Sequence, residues 1–148
     1  MATIRRILHA TDFSKASARA LNEAIRLAKQ NRAELLIVHV IEPTPYVADE
    51  GFSGAEIYTK LEDTAKRDAE ASMSRLIGRL KKSAVKPRGL LLKGSAHDQI
   101  VKAAKSKKAN MIVIGTHGRT GLSKLLMGSV AGKVISLATC PVVTVRGR

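Results

Sequence analysis

The chain has 148 residues and one cysteine, Cys140, a size expected for one domain and a composition that excludes an intrachain disulfide. Hydrophobic residues make up 45% of it, enough for a core, but no apolar run reaches the ~18 residues of a membrane span, and the run after Arg5-Arg6 is too short for a signal-peptide core. The net charge of +14 is split, −1 over residues 1–74 and +15 over residues 75–148, where Asp98 is the one acid; such asymmetry favours a polyanionic partner.

Five short apolar runs alternate with helical patterns. Ile7–Ala10 reads as a first strand, followed by Thr11-Asp12-Phe13-Ser14. Ser14 is placed to cap a helix in which Ala18, Leu21, Ala24, Ile25 and Ala28 recur at helical spacing. Leu35–Ile41 is continuous and apolar except for His39, as expected of a strand buried on both faces of a parallel sheet. A loop is expected over Glu42–Gly54, then a long helix whose stripe comprises Ile57, Leu61, Ala65, Ala69, Met73, Leu76 and Leu80. Gly89–Leu92 reads as the third strand, with Arg88 as an alternative start, and Gly94-Ser95 opens a short helix that ends in a lysine-rich turn. Met111–Ile114 is the fourth strand, a last helix starts near Ser129, and Val142–Val145 closes the chain as a fifth strand after Pro141. This alternation predicts a doubly wound α/β fold, in which ligands lie at the carboxyl ends of the strands near a topological switch point. Loops leave the first, second and fourth strands at Thr11-Asp12, at Val40-Ile41-Glu42 and at Gly115.

The loop after the fourth strand carries the chemistry. From Met111 it reads MIVIGTHGRTGLSKLLMGSVAGKVI. Gly115 and Gly118 are expected to let the backbone turn tightly and approach a ligand. Gly128 and Ser129 fall where a helix begins, so unpaired N–H groups and the positive dipole end form an anion site. The Ser129 hydroxyl has two competing uses, as helix cap or as donor to phosphate, and His117, Arg119 and Lys124 add positive charge. A Walker A loop is excluded: Gly128 and Gly132-Lys133 are separated by three residues rather than four, and Val134 follows. The Rossmann fingerprint fails too, because Gly115, Gly118 and Gly121 are each spaced by two residues. On these grounds a phosphate cradle and a structural turn remain equally good readings.

The spacing Gly115-x2-Gly118-x9-Gly128-Ser129 resembles in full the Gly-x2-Gly-x9-Gly-Ser/Thr pattern of the ATP-binding branch of the universal stress protein family. The resemblance extends to Ile7–Ser14, to Leu36-Ile37-Val38-His39-Val40, to Gly94 and to Cys140-Pro141-Val142-Val143, nearly the whole chain. It implies one doubly wound domain over residues 1–148, a five-stranded parallel sheet in the order 3-2-1-4-5 with helices on both faces. It implies an ATP-binding, homodimeric stress-response protein acting as a nucleotide-dependent switch, with Mg2+ or Mn2+ on the phosphates. Asp12 is then expected near the adenosine, Val40 against the adenine, and Gly115, Gly118, Gly128, Ser129 and Val130 around ribose and phosphates. With their neighbours Ala10, Thr11, Thr116, His117 and Arg119, these residues make up the candidate site. His9 departs from the family's small or apolar residue before Thr-Asp and is expected to alter the pocket wall. Asn110 stands in place of a frequent Asp, and the second half of the chain is unusually basic for the family.

Other readings accompany these. Asp12 serves equally as a helix cap, His117 as a solvent-exposed loop residue, His39 as a hydrogen-bonded core residue and Cys140 as packing. No spacing suggests a structural metal, and no carboxylate or glutamine near the loop is placed to orient water. At most slow ATP hydrolysis is expected, not a dedicated ATPase. Val142, Val143 and Val145 form an apolar edge that antiparallel pairing across a two-fold would cover, as the family's dimers do; the alternative is an edge blunted by Arg146 and Arg148. The chain is expected to be soluble and cytoplasmic, with an unknown protein partner and no membrane. A second reading is a nucleic-acid-associated protein using the basic half. Its weakness is that Phe13, Tyr46, Phe52 and Tyr58 are not interleaved with basic residues.

Overall fold

A computed structural model describes residues 3–43, 53–116 and 128–147. The elements follow as β1 (Arg6–Ala10), α1 (Lys15–Asn31), β2 (Glu34–Ile41), α2 (Ser53–Leu80), β3 (Lys86–Lys93), α3 (Ala96–Ser106), β4 (Met111–Gly115), α4 (Ser129–Leu137) and β5 (Val142–Val145). The strands form one sheet in the order β3-β2-β1-β4-β5. Every pair is parallel, the doubly wound architecture expected from strand–helix alternation.

The continuous apolar runs are explained by burial on both faces. On one face Ile7, Leu35, Ile37 and Val113 pack with Ala20, Ala24 and Ala28 of α1 and with Met73, Leu76 and Leu80 of α2. Their neighbours Leu8, Leu36, Val38, Ile112 and Ile114 point the other way, onto Ile100 and Ala104 of α3 and Ala131 and Val134 of α4. Strand side chains alternate, so a strand coated on both sides must be apolar throughout. The alanines of α1 let that helix lie close to the sheet, and Ser14 caps it, accepting from the Ser17 N–H at 3.3 Å.

Two elements differ from expectation. β3 begins at Lys86 rather than near Gly89 and contains Pro87, which pairs in register with Leu35. Proline is tolerated because β3 is an edge strand, and the edge position also removes the apolar signal from its first half. α2 begins at Ser53, inside the expected loop, and its apolar stripe is only half used. Ala69, Met73, Leu76 and Leu80 are buried, whereas Ile57 and Leu61 are about half exposed, at 55% and 52%. At 28 residues the helix is ~42 Å long, against ~27 Å for an eight-residue strand, so its first turns overrun the sheet.

β1 leads to β2 and β3 on one side, and β4 leads to β5 on the other. The order therefore reverses between β1 and β4, where the loops after those strands diverge and leave a crevice. Among the described residues, no helix is long and apolar enough to cross a membrane.

Candidate functional site

At that switch point lies a cavity of about 350 Å³, within the ~300–1,000 Å³ range of small-molecule sites. Ala10, Thr11 and Asp12 enter it from the end of β1, Val40 from β2, Gly115 and Thr116 from β4, and Gly128, Ser129 and Val130 from the start of α4. The fold thus gathers nine candidate residues separated by up to 120 positions in sequence into one wall. His117, Gly118 and Arg119, the other three, lie outside the described residues, as does Lys124.

The turn after β1 is held by side chains. Thr11 is buried, and its hydroxyl oxygen accepts from the Phe13 N–H at 3.0 Å and meets the Ser17 hydroxyl at 3.2 Å. Asp12 accepts from the Ser14 N–H at 2.9 Å, an Asx turn. The helix cap is Ser14, so Asp12 is not the cap; it is a half-buried carboxylate on the cavity wall. Phe13, between them, takes the left-handed φ of 63°, which is costly for a bulky side chain and persists because these bonds fix both flanks. Ser14→Ala is expected to cost about 1 kcal/mol of stability in urea unfolding.

His39 supports the same turn from β2. Its Nδ1–H donates to the Thr11 carbonyl at 2.8 Å, and its ring lies 4.5 Å from that of Phe13. It is hydrogen-bonded as expected, but half-buried on the cavity wall rather than in the core. His9 is corrected the other way. It is fully buried and absent from the cavity lining, because strand alternation turns it away from Ala10 onto the opposite face, as Ile37 and Val113, its register partners, are turned. Burial lowers its pKa from 6.5 to about 4, opposed by the bond to the Val113 carbonyl and by the Asp12 charge.

The far end of the cavity is a helix N-terminus. Gly128 occupies the N-cap position with φ −58° and ψ 149° and offers no side-chain cap. The N–H groups of Ser129, Val130 and Ala131 are the first of α4, and all three residues line the cavity. These N–H groups and the positive dipole end of α4 face it. Ser129 is the first helical residue and not the cap. The Gly128 N–H donates to the Thr116 carbonyl, and the Thr116 N–H to Val145, so the two residues that bracket 117–127 are tied together and to β5. Gly115 lies in β4, and Gly94 is the one described glycine with positive φ. Gly115 itself adopts no left-handed backbone, and the turn expected between it and Gly118 lies outside the described residues.

Sequence reasoning missed several contributors. Val38, Ile100 and Ile114 add an apolar patch, and Glu42 and Ala96 bring in the start of α3. Gly94, at φ 139°, makes this approach: its N–H donates to the Ile41 carbonyl at 3.1 Å, and the Ala96 N–H reaches Glu42 at 3.4 Å. A positive-φ glycine right after a strand was the available signal. Cys140 packs beneath α4 as expected, and burial pushes its thiol pKa up.

Comparison with known proteins gives this geometry a context. The family model described as "Universal stress protein family" matches residues 3–146. The chain belongs to the universal stress protein family. Universal stress protein MJ0531 of Methanocaldococcus jannaschii is 33% identical over 142 residues, covering 96% of this chain and 82% of the relative. The solved structure of MJ0577, a universal stress protein of the same organism, matches with a TM-score of 0.84 at 28% identity, over 99% of both chains. The universal stress protein of Archaeoglobus fulgidus in complex with dAMP shares the fold, with a TM-score of 0.69 at 24% identity over 97% of this chain and 98% of that one.

Proposed function

We propose that this universal stress protein binds ATP in the cavity between β1 and β4, and that the bound nucleotide governs its interactions. The observation that carries the reading is the convergence, in one cavity, of an apolar patch, a carboxylate and an uncapped helix N-terminus. Val38, Val40 and Ile100 offer a face for adenine, Asp12 an acceptor for ribose hydroxyls, and the first N–H groups of α4 donors for phosphate oxygens. The Gly115, Gly118, Gly128 and Ser129 spacing supports the ATP-binding branch of the family, and a relative of the same fold is solved with dAMP. Mg2+ or Mn2+ belongs, on this reading, to the phosphates of the bound nucleotide. Mass spectrometry of the ligand carried by freshly purified protein tests this directly, with ATP expected. Equilibrium dialysis of Gly128→Val should show binding abolished, and no adenine nucleotide on the wild type would overturn the reading.

The protein is further proposed to be a homodimer paired through β5, and a nucleotide holder rather than a dedicated ATPase. The carbonyls of Pro141 and Val145 accept from Ile112 of β4 and from Thr116 just beyond it. By alternation, Val142 and Thr144 direct their backbone groups outward, where a second β5 would bond. Thr144→Pro removes one outward N–H without touching the bonds to β4. Sedimentation velocity should then report a monomer with nucleotide still bound; an unchanged dimer would count against pairing through β5.

A further inference from the structure

Among the described residues no Lys or Arg lines the cavity, and the fold gives many of the chain's cations a place of their own. Helices in a doubly wound sheet run antiparallel to the strands, so helix C-termini and strand N-termini gather at the end opposite the cavity. There Arg6, Glu34 and Lys86 stand side by side in register, the first residues of β1, β2 and β3. Glu34 is the one acid on these strand starts and the last turns of α1, α2 and α3, and Arg6 already pairs with it at 2.7 Å. Arg6 also donates to the Lys107 carbonyl, fixing the end of α3 against the sheet. Around this pair, Arg5 precedes β1, Arg32 follows α1, Lys82 follows α2 and Lys108 follows α3, all exposed.

Complementing helix dipoles explains the cations of the last helical turns, Lys29, Arg79 and Lys105. It does not explain Arg5, Arg6 or Lys86, which belong to strand starts. Strands lie ~4.8 Å apart, so these cations flank the single acid Glu34 on its two neighbouring strands, bordered by helix ends on both faces. The last turns of α1, α2 and α3 expose no large apolar side chain, which removes the wedge an interfacial protein inserts into lipid. No aromatic residue stands in these segments, which removes a stacking platform for single strands.

We propose that this basic end is a docking surface for the phosphate backbone of a nucleic-acid duplex, bound through charge and without sequence readout. It is separate from the nucleotide cavity, so the two ligands bind at once, and either proposal stands if the other fails.

The test is fluorescence anisotropy with a mixed-sequence DNA duplex of about 24 base pairs, from about 50 to 200 mM salt. Binding should weaken with a log–log slope of about −4, the value for four to five neutralised phosphates. Combining Arg5→Gln, Lys82→Gln, Lys86→Gln and Lys108→Gln should cost at least about tenfold at low salt and flatten the slope by about 3.6. Lys86→Gln with Lys108→Gln alone, the fallback if the fourfold variant unfolds, should flatten it by about 2. Lys15→Gln, Arg19→Gln, Lys60→Gln and Arg67→Gln together remove equal charge from exposed positions elsewhere and should leave duplex affinity within about twofold of wild type. ATP binding should persist in every variant. Equal loss in the two fourfold variants, no duplex binding at low salt, or binding only to phosphatidylserine vesicles would each overturn the proposal.

Discussion

Gly128→Asp is expected to make the protein slightly more stable while abolishing ATP binding. Gly128 holds the N-cap position of α4 at φ −58° and ψ 149°, extended geometry that any residue adopts, so the substitution carries no backbone penalty. An aspartate there supplies what α4 lacks, a carboxylate that accepts from the first N–H groups and complements the dipole. Such caps exceed glycine by a few tenths of a kcal/mol, and the charge adds about 0.3–1. For a chain of this size the sum corresponds to a Tm increase of about 2 °C. The same carboxylate consumes the donors assigned to phosphate and sets a negative charge against it. Losing two charge-assisted hydrogen bonds at about 1.5–3 kcal/mol each means at least about a hundredfold weaker binding. Adenosine has no phosphate and should bind the variant as it binds wild type. Calorimetry with ATP and adenosine, beside a thermal melt, separates the outcomes. Unchanged ATP affinity would remove the α4 N-terminus from the site.

The sheet was legible because its strands are buried on both faces, and such strands announce themselves as runs like Ile7–Ala10 and Leu35–Ile41. The start of β3 was not, since Lys86, Pro87 and Arg88 sit on an edge where nothing demands apolar side chains. Of the candidate site, residues at strand ends or in the glycine pattern could be named in advance: Thr11, Asp12, Val40, Gly128, Ser129. Ser17, Ile100 and Ala131 also line the cavity, yet in sequence they are ordinary members of helical stripes. Only the crossover geometry decides which helical turn lies over the crevice. His9 was misplaced for a related reason. Proximity to Thr11-Asp12 in sequence suggested the pocket wall, but the two-residue period of the strand turned its ring onto the opposite face.

That ring makes stability depend on pH in a way a homologous apolar residue would not. The His9 Nδ1 lies 3.0 Å from the Val113 carbonyl, an acceptor only, so Nδ1 carries the proton, and the buried Nε2 has no partner. Protonating Nε2 would place an uncompensated charge in the core, which is why desolvation outweighs the carbonyl bond and Asp12 and holds the pKa near 4 rather than 6.5. Between these values the unfolded chain binds a proton that the folded chain refuses, so stability falls as pH drops from about 6.5 toward 4. The penalty is nearly absent at pH 7, about 2 kcal/mol at pH 5 and about 3 kcal/mol at pH 4. His9→Leu removes both the titration and the orphan nitrogen at similar volume. Urea unfolding should therefore find the variant gaining about 2 kcal/mol on wild type between pH 7 and pH 5. The carboxylates common to both proteins cancel in that difference. A parallel pH dependence in the two proteins would mean that His9 accepts its proton without opening the core.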